Sequence, residues 1–211
     1  MRSDVKEELL ELGPFSLRVL QLADLSGLID AEALLRDEDV PDPPYWAHVW
    51  TGSRVLAHLV ANTVECRNRR AIDLGCGLGV AGLAAAQGGA RVLLADRVFD
   101  AVQLAQANAR LNGLAVEVAV LDLLQSPLRG SFDLCLAADV TYDPLLQAAL
   151  ADFFAARLSQ VGEAWCVESV RTTDRGFSDA LLRRGLCVEE RDLSALDEGR
   201  PVAVRVTVAR R

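Results

Sequence analysis

Histidine is scarce in this chain. Only His48 and His58 occur among 211 residues, with no H-E-x-x-H spacing, so no metal site is expected. The five cysteines, Cys66, Cys76, Cys135, Cys166 and Cys187, are scattered and make no C-x-x-C pair. That argues against a zinc site or a disulfide framework, and for small buried side chains in a reducing cytosol. Bases are outnumbered too: 22 Lys and Arg face 30 Asp and Glu, a net charge of −8. A nucleic-acid footprint needs clustered bases, so no nucleic-acid partner is expected and a cationic protein partner fits better. No stretch is long and uncharged enough for a membrane span, and the first residues lack a signal peptide's apolar core. The expectation is a soluble, cytoplasmic protein without a membrane partner.

Apolar residues make up 51% of the chain, enough for one well-filled core. The chain is organised around Ala71-Ile72-Asp73-Leu74-Gly75-Cys76-Gly77-Leu78-Gly79-Val80-Ala81-Gly82, an apolar strand running through a glycine turn into an alanine-rich helix. Glycines let the backbone turn sharply and approach a ligand, and the free N–H groups of the helix start face whatever sits there. Gly77–Gly82 reads literally as G-x-G-x-x-G with Asp96 about twenty residues on, the dinucleotide fingerprint. S-adenosylmethionine is the competing ligand, and Asp73 favours it. Two residues before the first glycine, a carboxylate repels a pyrophosphate and attracts the methionyl ammonium. The pattern Asp73-x-Gly75-x-Gly77-x-Gly79 resembles motif I of the seven-β-strand (class I) methyltransferases.

Residues 1–44 read as an N-terminal extension and residues 45–211 as the methyltransferase domain. Within the extension, Phe15–Ala23 reads as a strand and Ile29–Arg36 as a short helix. Asp37–Pro44 reads as an acidic, proline-rich loop. It contains Asp42-Pro43-Pro44-Tyr45, a literal D-P-P-Y of the kind nucleobase amino-methyltransferases use. The catalytic version follows a buried strand; here Asp37, Glu38 and Asp39 precede it, so the match reads as coincidence. Trp46 and Trp50, four apart, would share a face of a helical turn. They serve either as core anchors or as a wall for adenosine or a substrate channel. An amphipathic helix follows through about Asn62.

From residue 70 strands and helices alternate. Strands are expected at Arg70–Leu74, Ala90–Ala95, Leu114–Leu121, Phe132–Ala138 and Ala164–Val170. Helices are expected at Leu78–Gln87, at Phe99–Asn112 with Gly113 as its stop, at Leu145–Leu158 and around Phe177–Arg184. The third of these has Asp143 as cap and Pro144 at its first position. Leu186–Arg191 and Val202–Val208 have no helix between them and should pair antiparallel. The expected fold is therefore α/β: a Rossmann-like, seven-stranded, mostly parallel sheet with helices on both faces and a C-terminal antiparallel strand.

Asp73, Asp96, Asp122 and Asp139 each end one of the first four of these strands, on the carboxyl edge where open α/β sheets bind ligands. Asp96 suits the ribose hydroxyls and Asp122 the adenine amino group. Asp139 lies further across, where a transferred methyl would point. Since Asp143 already caps the next helix, Asp139 has no evident structural duty. Cys76, Gly79 and Arg97, adjoining these positions, are assigned to the same pocket. Tyr142 either meets the acceptor or is a strand-end core residue, and Asp139 either aims the acceptor or forms a turn.

Asp139-Val140-Thr141-Tyr142, a D-x-x-Y after the fourth of these strands, resembles the post-strand motif of the family-16 protein methyltransferases, a largely lysine-specific group. Pro44-Tyr45-Trp46-Ala47 with Trp50 and Gly52 is similar to the branch that holds the electron-transfer flavoprotein β-subunit lysine methyltransferases and their bacterial relatives. The resemblance covers about residues 44–150. It departs at Thr51, Ser53 and Arg54, where a proline and a Gly-Gln pair are usual, and at Leu123, where tryptophan is frequent. It implies that Trp50 contacts S-adenosylmethionine, with Gly75, Gly77, Asp96, Leu123 and Ala138 lining the pocket. It implies too that Asp139 and Tyr142 face the amine of a lysine on a protein substrate.

Three functions stand on this reading. The first is a protein-lysine N-methyltransferase. The second is a small-molecule methyltransferase on the same fold. The third is a non-catalytic S-adenosylmethionine-binding scaffold, against which the intact D-x-x-Y speaks.

Overall fold

The computed structural model describes residues 5–23, 44–126, 128–170, 176–197 and 199–211. The expected helix Ile29–Arg36, and Asp42-Pro43 of the D-P-P-Y, lie outside them. Strands β1 (Val5–Glu11) and β2 (Ser16–Leu22) form an antiparallel hairpin. Helix α1 (Thr51–Thr63) leads to β3 (Arg70–Leu74), α2 (Val80–Gln87), β4 (Arg91–Asp96), α3 (Phe99–Leu111) and β5 (Glu117–Val120). Then come β6 (Phe132–Ala138), α4 (Pro144–Arg157), β7 (Leu158–Ser169), α5 (Gly176–Arg183), β8 (Cys187–Asp197) and β9 (Arg200–Arg210).

The main sheet has seven strands in the order β5-β4-β3-β6-β7-β9-β8, with β9 antiparallel to both neighbours. The chain steps outward from β3 to β5 and returns to β6 on the other side of β3. The strand order therefore reverses between β3 and β6, which is where such sheets open a ligand crevice.

Both faces of the sheet are covered, so its central strands are apolar throughout. Leu134 and Leu136 of β6 join Leu56, Val60, Leu83 and Ala105, from α1, α2 and α3, on one face. Cys135 and Ala137 join Leu150, Phe154, Phe177 and Leu181, from α4 and α5, on the other. Burying such side chains supplies the main stabilising force, about 25 cal/mol per Å² of apolar area.

Local signals placed several boundaries. Asp143 Oδ1 accepts the Leu145 N–H at 2.6 Å and caps α4 over Pro144. Gly113 has φ +67° and ends α3, with Leu114 N–H bonding Ala109 O at 2.9 Å. That closure delays β5 to Glu117, later than the expected Leu114. Helix α2 starts at Val80 because Gly79, in the left-handed region, caps it. Strand β7 begins at Leu158, earlier than Ala164, because Leu158 pairs with Phe132 across an irregularity.

Of the hairpin's two strands only β2 carries a strand signal in the sequence; β1 has none of its own. Its fastening is polar. Asn108 of α3 and Asn112, the cap at its C-terminal end, each accept a backbone N–H of β2 (Leu20 at 2.7 Å, Arg18 at 2.9 Å) and donate to the same residue's carbonyl. Two side-chain amides thus complete the ladder of an edge strand. On the inner face, Glu8 accepts Arg54 Nη1 at 2.5 Å and Gln21 Nε2 at 2.5 Å, while Gln21 Oε1 accepts the Val49 N–H. Leu10, Leu17 and Val19 join the core.

Candidate functional site at the carboxyl edge

The glycine loop after β3 is held from beneath by two carboxylates. Gly77 and Gly79 have φ of +51° and +81°, a region costly for any residue with a Cβ. Asp96, at the end of β4, accepts the Gly77 N–H (Oδ2, 2.9 Å) and the Val98 N–H (Oδ1, 2.9 Å). A phosphate at this loop would need that Gly77 N–H and would meet the Asp96 charge, so the loop suits a cationic ligand better than a pyrophosphate. Each Asp96 oxygen keeps a second lone pair for a hydroxyl donor.

Asp73 corrects the sequence reading. Its side chain does not present itself to an open pocket; it is 2% exposed, and Oδ2 accepts the Gly82 N–H at 2.8 Å. Burial pushes its carboxyl from the ordinary 3.8 to about 7; the Gly82 bond opposes that shift and the Asp96 charge adds to it. Asp73 therefore braces the loop from within. Cys76 is buried in the same turn, and burial pushes its thiol well up, so it is a packing residue and no nucleophile.

Further along the edge, Asp122 is exposed and accepts the Leu124 N–H at 2.9 Å, capping a 3-10 turn over Leu123–Gln125. Phe99, Val120 and Leu124, which follow or flank Asp96 and Asp122, are all more than half exposed. Large apolar side chains left open beside two carboxylates are the surroundings an adenosine requires. Arg97 is exposed, while Leu123 and Ala138 are partly buried.

The segment before α1 lies across this edge. Trp46 and Trp50 do not share a helical turn: Tyr45–Ala47 is a single 3-10 turn, and His48 and Trp50 are extended. Neither tryptophan is a core anchor; both are partly exposed. A Cβ on Gly77 would come within 3.1 Å of Trp46 O, so the segment rests on the glycine loop. Trp50 Nε1 donates to Tyr45 O at 2.6 Å, and its ring meets that of His48 edge-on at 5.1 Å. These contacts fix the indole without burying it.

At the end of β6, Asp139 has φ +53°, one of two described non-glycine residues with positive φ. Its Oδ2 accepts the Gly52 N–H in the first turn of α1 at 2.9 Å, and Oδ1 accepts the Ser169 N–H at the end of β7 at 2.8 Å. This overturns the expectation that Asp139 lacks a structural duty: it ties three elements together. A methyl group on Gly52 would run into this carboxylate. Tyr142 is 70% exposed, which excludes the strand-end core reading. Between them, Thr141 is buried and its hydroxyl donates to Glu168 of β7, whose carboxyl burial pushes upward.

Gly52, Ser169, Thr141 and Glu168 were not assigned roles from sequence. Glu168 had a readable signal: like the four aspartates, it is an acid near the carboxyl end of a parallel strand. The structure brings Asp73, Asp96 and the glycine loop together and sets Asp139 beside α1. Among the described residues no group of His, Cys, Asp and Glu could hold a metal ion, and no helix is long and apolar enough to cross a membrane.

A reversed strand order opening over a glycine loop, with β9 turned against its neighbours, defines the fold of class I S-adenosylmethionine-dependent methyltransferases, and the loop's carboxylates fit that cofactor. The chain belongs to the methyltransferase small domain family, whose model matches residues 45–169. It is 36% identical over 112 residues to the electron transfer flavoprotein beta subunit lysine methyltransferase of Danio rerio, a match covering 52% of this chain and 43% of that protein. It is also 36% identical over 105 residues to the protein N-lysine methyltransferase METTL21A of Mus musculus, covering 46% of this chain and 48% of that one. The chain thus spans less than half the length of each. Among solved structures, the 16S rRNA N2 G1207 methyltransferase of T. thermophilus superposes with a TM-score of 0.68 at 18% identity, over 98% of this chain and 50% of its own. The ribosomal protein L11 methylase of Lactobacillus delbrueckii gives 0.62 at 22% identity, over 76% and 79%.

Proposed function

We propose that this protein transfers the methyl group of S-adenosylmethionine to the ε-amino group of a lysine on a protein substrate. The observation that carries the proposal is Asp139: a charged side chain in a left-handed backbone conformation, fixed by two backbone N–H groups at the sheet's crevice. Strain of that kind persists only where the surroundings enforce it, and it clusters at functional sites. The identities to proteins named as lysine methyltransferases support the acceptor class.

In this reading Trp50, Gly75, Cys76, Gly77, Gly79, Asp96, Arg97, Asp122, Leu123 and Ala138 form the cofactor pocket. Asp73 sets its charge from below. When bound, S-adenosylmethionine supplies an electrophilic methyl on a positively charged sulfur. The protein's task is alignment, because an in-line displacement gains much of its rate from fixed geometry. The Asp139 carboxylate, fixed at the crevice by the Gly52 and Ser169 N–H groups, docks and aims the incoming amine. It does not deprotonate it: a lysine near pKa 10.4 costs about 4.6 kcal/mol to neutralise at pH 7, and a neighbouring carboxylate raises that cost. Desolvation and the adjacent positive charge lower the amine's pKa instead. Tyr142 walls the amine's approach.

We further read the hairpin Val5–Leu22 as part of the same folded unit, since it anchors both α3 and the segment leading to Trp50. Free cysteines, four of them buried, suit a reducing cytoplasm, and a net charge of −8 suits a basic protein acceptor over nucleic acid. The test is incubation of a proteome extract with the enzyme and tritiated S-adenosylmethionine, then separation into protein and metabolite pools. Label in protein is expected; label confined to metabolites would replace the acceptor class.

A further inference from the structure

Tyr142 poses a problem. At 70% exposed the side chain draws little from packing to define where it points, yet the proposed function needs it at a fixed place beside Asp139. The restraint lies one residue back. Thr141 is 5% exposed; its hydroxyl donates to Glu168 Oε2, and its carbonyl accepts Gln147 Nε2 at 2.8 Å from α4. Glu168 is itself held. It pairs with Arg205 of β9 in the sheet register, Arg205 lies 4.0 Å from its Oε1, and the buried Arg205 also donates to Asp192 of β8 at 3.0 Å. A row of charged side chains thus runs across β7, β9 and β8, and its end meets the loop after β6.

We propose that Thr141 and Glu168 are positioning residues: their hydrogen bond pins the loop that follows Asp139, so that Tyr142 keeps one orientation toward the acceptor beside the independently fixed Asp139. The proposal rests on the methyltransferase reading, but the pin is a physical link that can be measured without any substrate. Several observations separate this contact from ordinary packing. The Thr141 hydroxyl is buried and bonded to a carboxylate, a polar contact that filling the space alone would not require. Asp139 is already fixed from α1 and β7, and its own N–H donates to Val167 O at 2.9 Å, whereas Tyr142 stands outward next to the held Thr141. Val140 also packs over Gly75, so movement of this loop would reach the glycine turn.

The test compares Thr141→Val, which keeps shape and removes the hydroxyl, with Thr141→Ser, which restores the donor. Amide hydrogen exchange of the 139–145 peptide in the cofactor-free protein should quicken about ten-fold in Thr141→Val and return toward parental in Thr141→Ser. Methyl transfer into whichever pool the parent labels should fall at least ten-fold in Thr141→Val, with S-adenosylhomocysteine affinity unchanged and serine rescuing the rate. Unchanged exchange in Thr141→Val overturns the pin. Quickened exchange with parental transfer overturns the positioning role. Transfer lost in Thr141→Val and not recovered in Thr141→Ser does so too, because a packing defect would behave that way. A parent that labels nothing refutes the methyltransferase reading, while the exchange result still decides whether the pin exists. Glu168→Gln, which keeps the volume and weakens the acceptor, should show the same exchange change if Thr141→Val does not fold.

Discussion

Asp139 and Gly52 stand 87 residues apart in sequence, yet the carboxylate of one accepts the backbone N–H of the other at 2.9 Å. The contact fixes where α1 begins relative to the end of β6, and it needs a residue without a Cβ at position 52.

That geometry reverses an ordinary expectation. In most helices Gly→Ala stabilises by about 0.5–1 kcal/mol through propensity. Gly52→Ala should instead lower the melting temperature, because its methyl displaces the Asp139 carboxylate. Thermal unfolding of the cofactor-free protein checks it, and a raised melting temperature would count against the contact.

Asp139→Asn is not a silent change. One oxygen becomes an NH₂ group that must face a backbone N–H of either Gly52 or Ser169. The loss of one charge-assisted bond should cost about 1.5–3 kcal/mol of stability. Methyl transfer should fall by about two orders of magnitude or more once misalignment is added. S-adenosylhomocysteine affinity should stay within a few-fold, measured by calorimetry on the same preparation; a parallel loss of affinity would place Asp139 in the donor pocket.

Trp50→Ala should weaken S-adenosylmethionine binding while barely changing stability. The indole is only partly buried, whereas a core tryptophan loses about 3–5 kcal/mol on truncation. A large drop in melting temperature with intact binding would make Trp50 a packing residue.

Asp73 predicts a pH dependence. Its carboxyl is raised from the ordinary 3.8 to about 7 in the folded protein. Below pH 4 the group is protonated in both folded and unfolded states. Between pH 4 and 7 only the unfolded chain releases the proton, so its contribution to stability falls as pH rises, by up to about 4 kcal/mol. Asp73→Asn should remove this slope and stabilise the cofactor-free protein at pH 8. Urea unfolding at pH 5 and pH 8 checks it; an unchanged slope in the variant would assign the titration elsewhere.

The parts of the fold legible in the sequence were those carried by local chemistry. Asp143-Pro144 and Gly113 punctuate α4 and α3 within one turn of chain, and the apolar runs of β3 and β6 announce a sheet covered on both faces. Strand β1 was not legible: Glu7, Glu8 and Glu11 give it no strand pattern, and its pairing with β2 and its Arg54 partner decide its state. The Trp46–Trp50 spacing suggested a helix, but the extended residues between 3-10 turn and α1 set the two rings. At the site, strand-end position identified the four aspartates. What each one bonds was settled by distant backbone: Gly82 for Asp73, Gly77 for Asp96, and Gly52 with Ser169 for Asp139. A side chain's position can be periodic in sequence; its partners are not.

The most direct measurement is the identity of the labelled amino acid. The chain contains a single lysine, Lys6, so self-labelling can reach only that side chain and is removed by Lys6→Arg. Protein from an extract labelled with tritiated S-adenosylmethionine by the Lys6→Arg enzyme is hydrolysed completely and its amino acids separated. The account predicts radioactivity in ε-N-methylated lysine, absent when Asp139→Asn replaces the parent. Label in another methylated residue, or none in protein while metabolites are labelled, would contradict it.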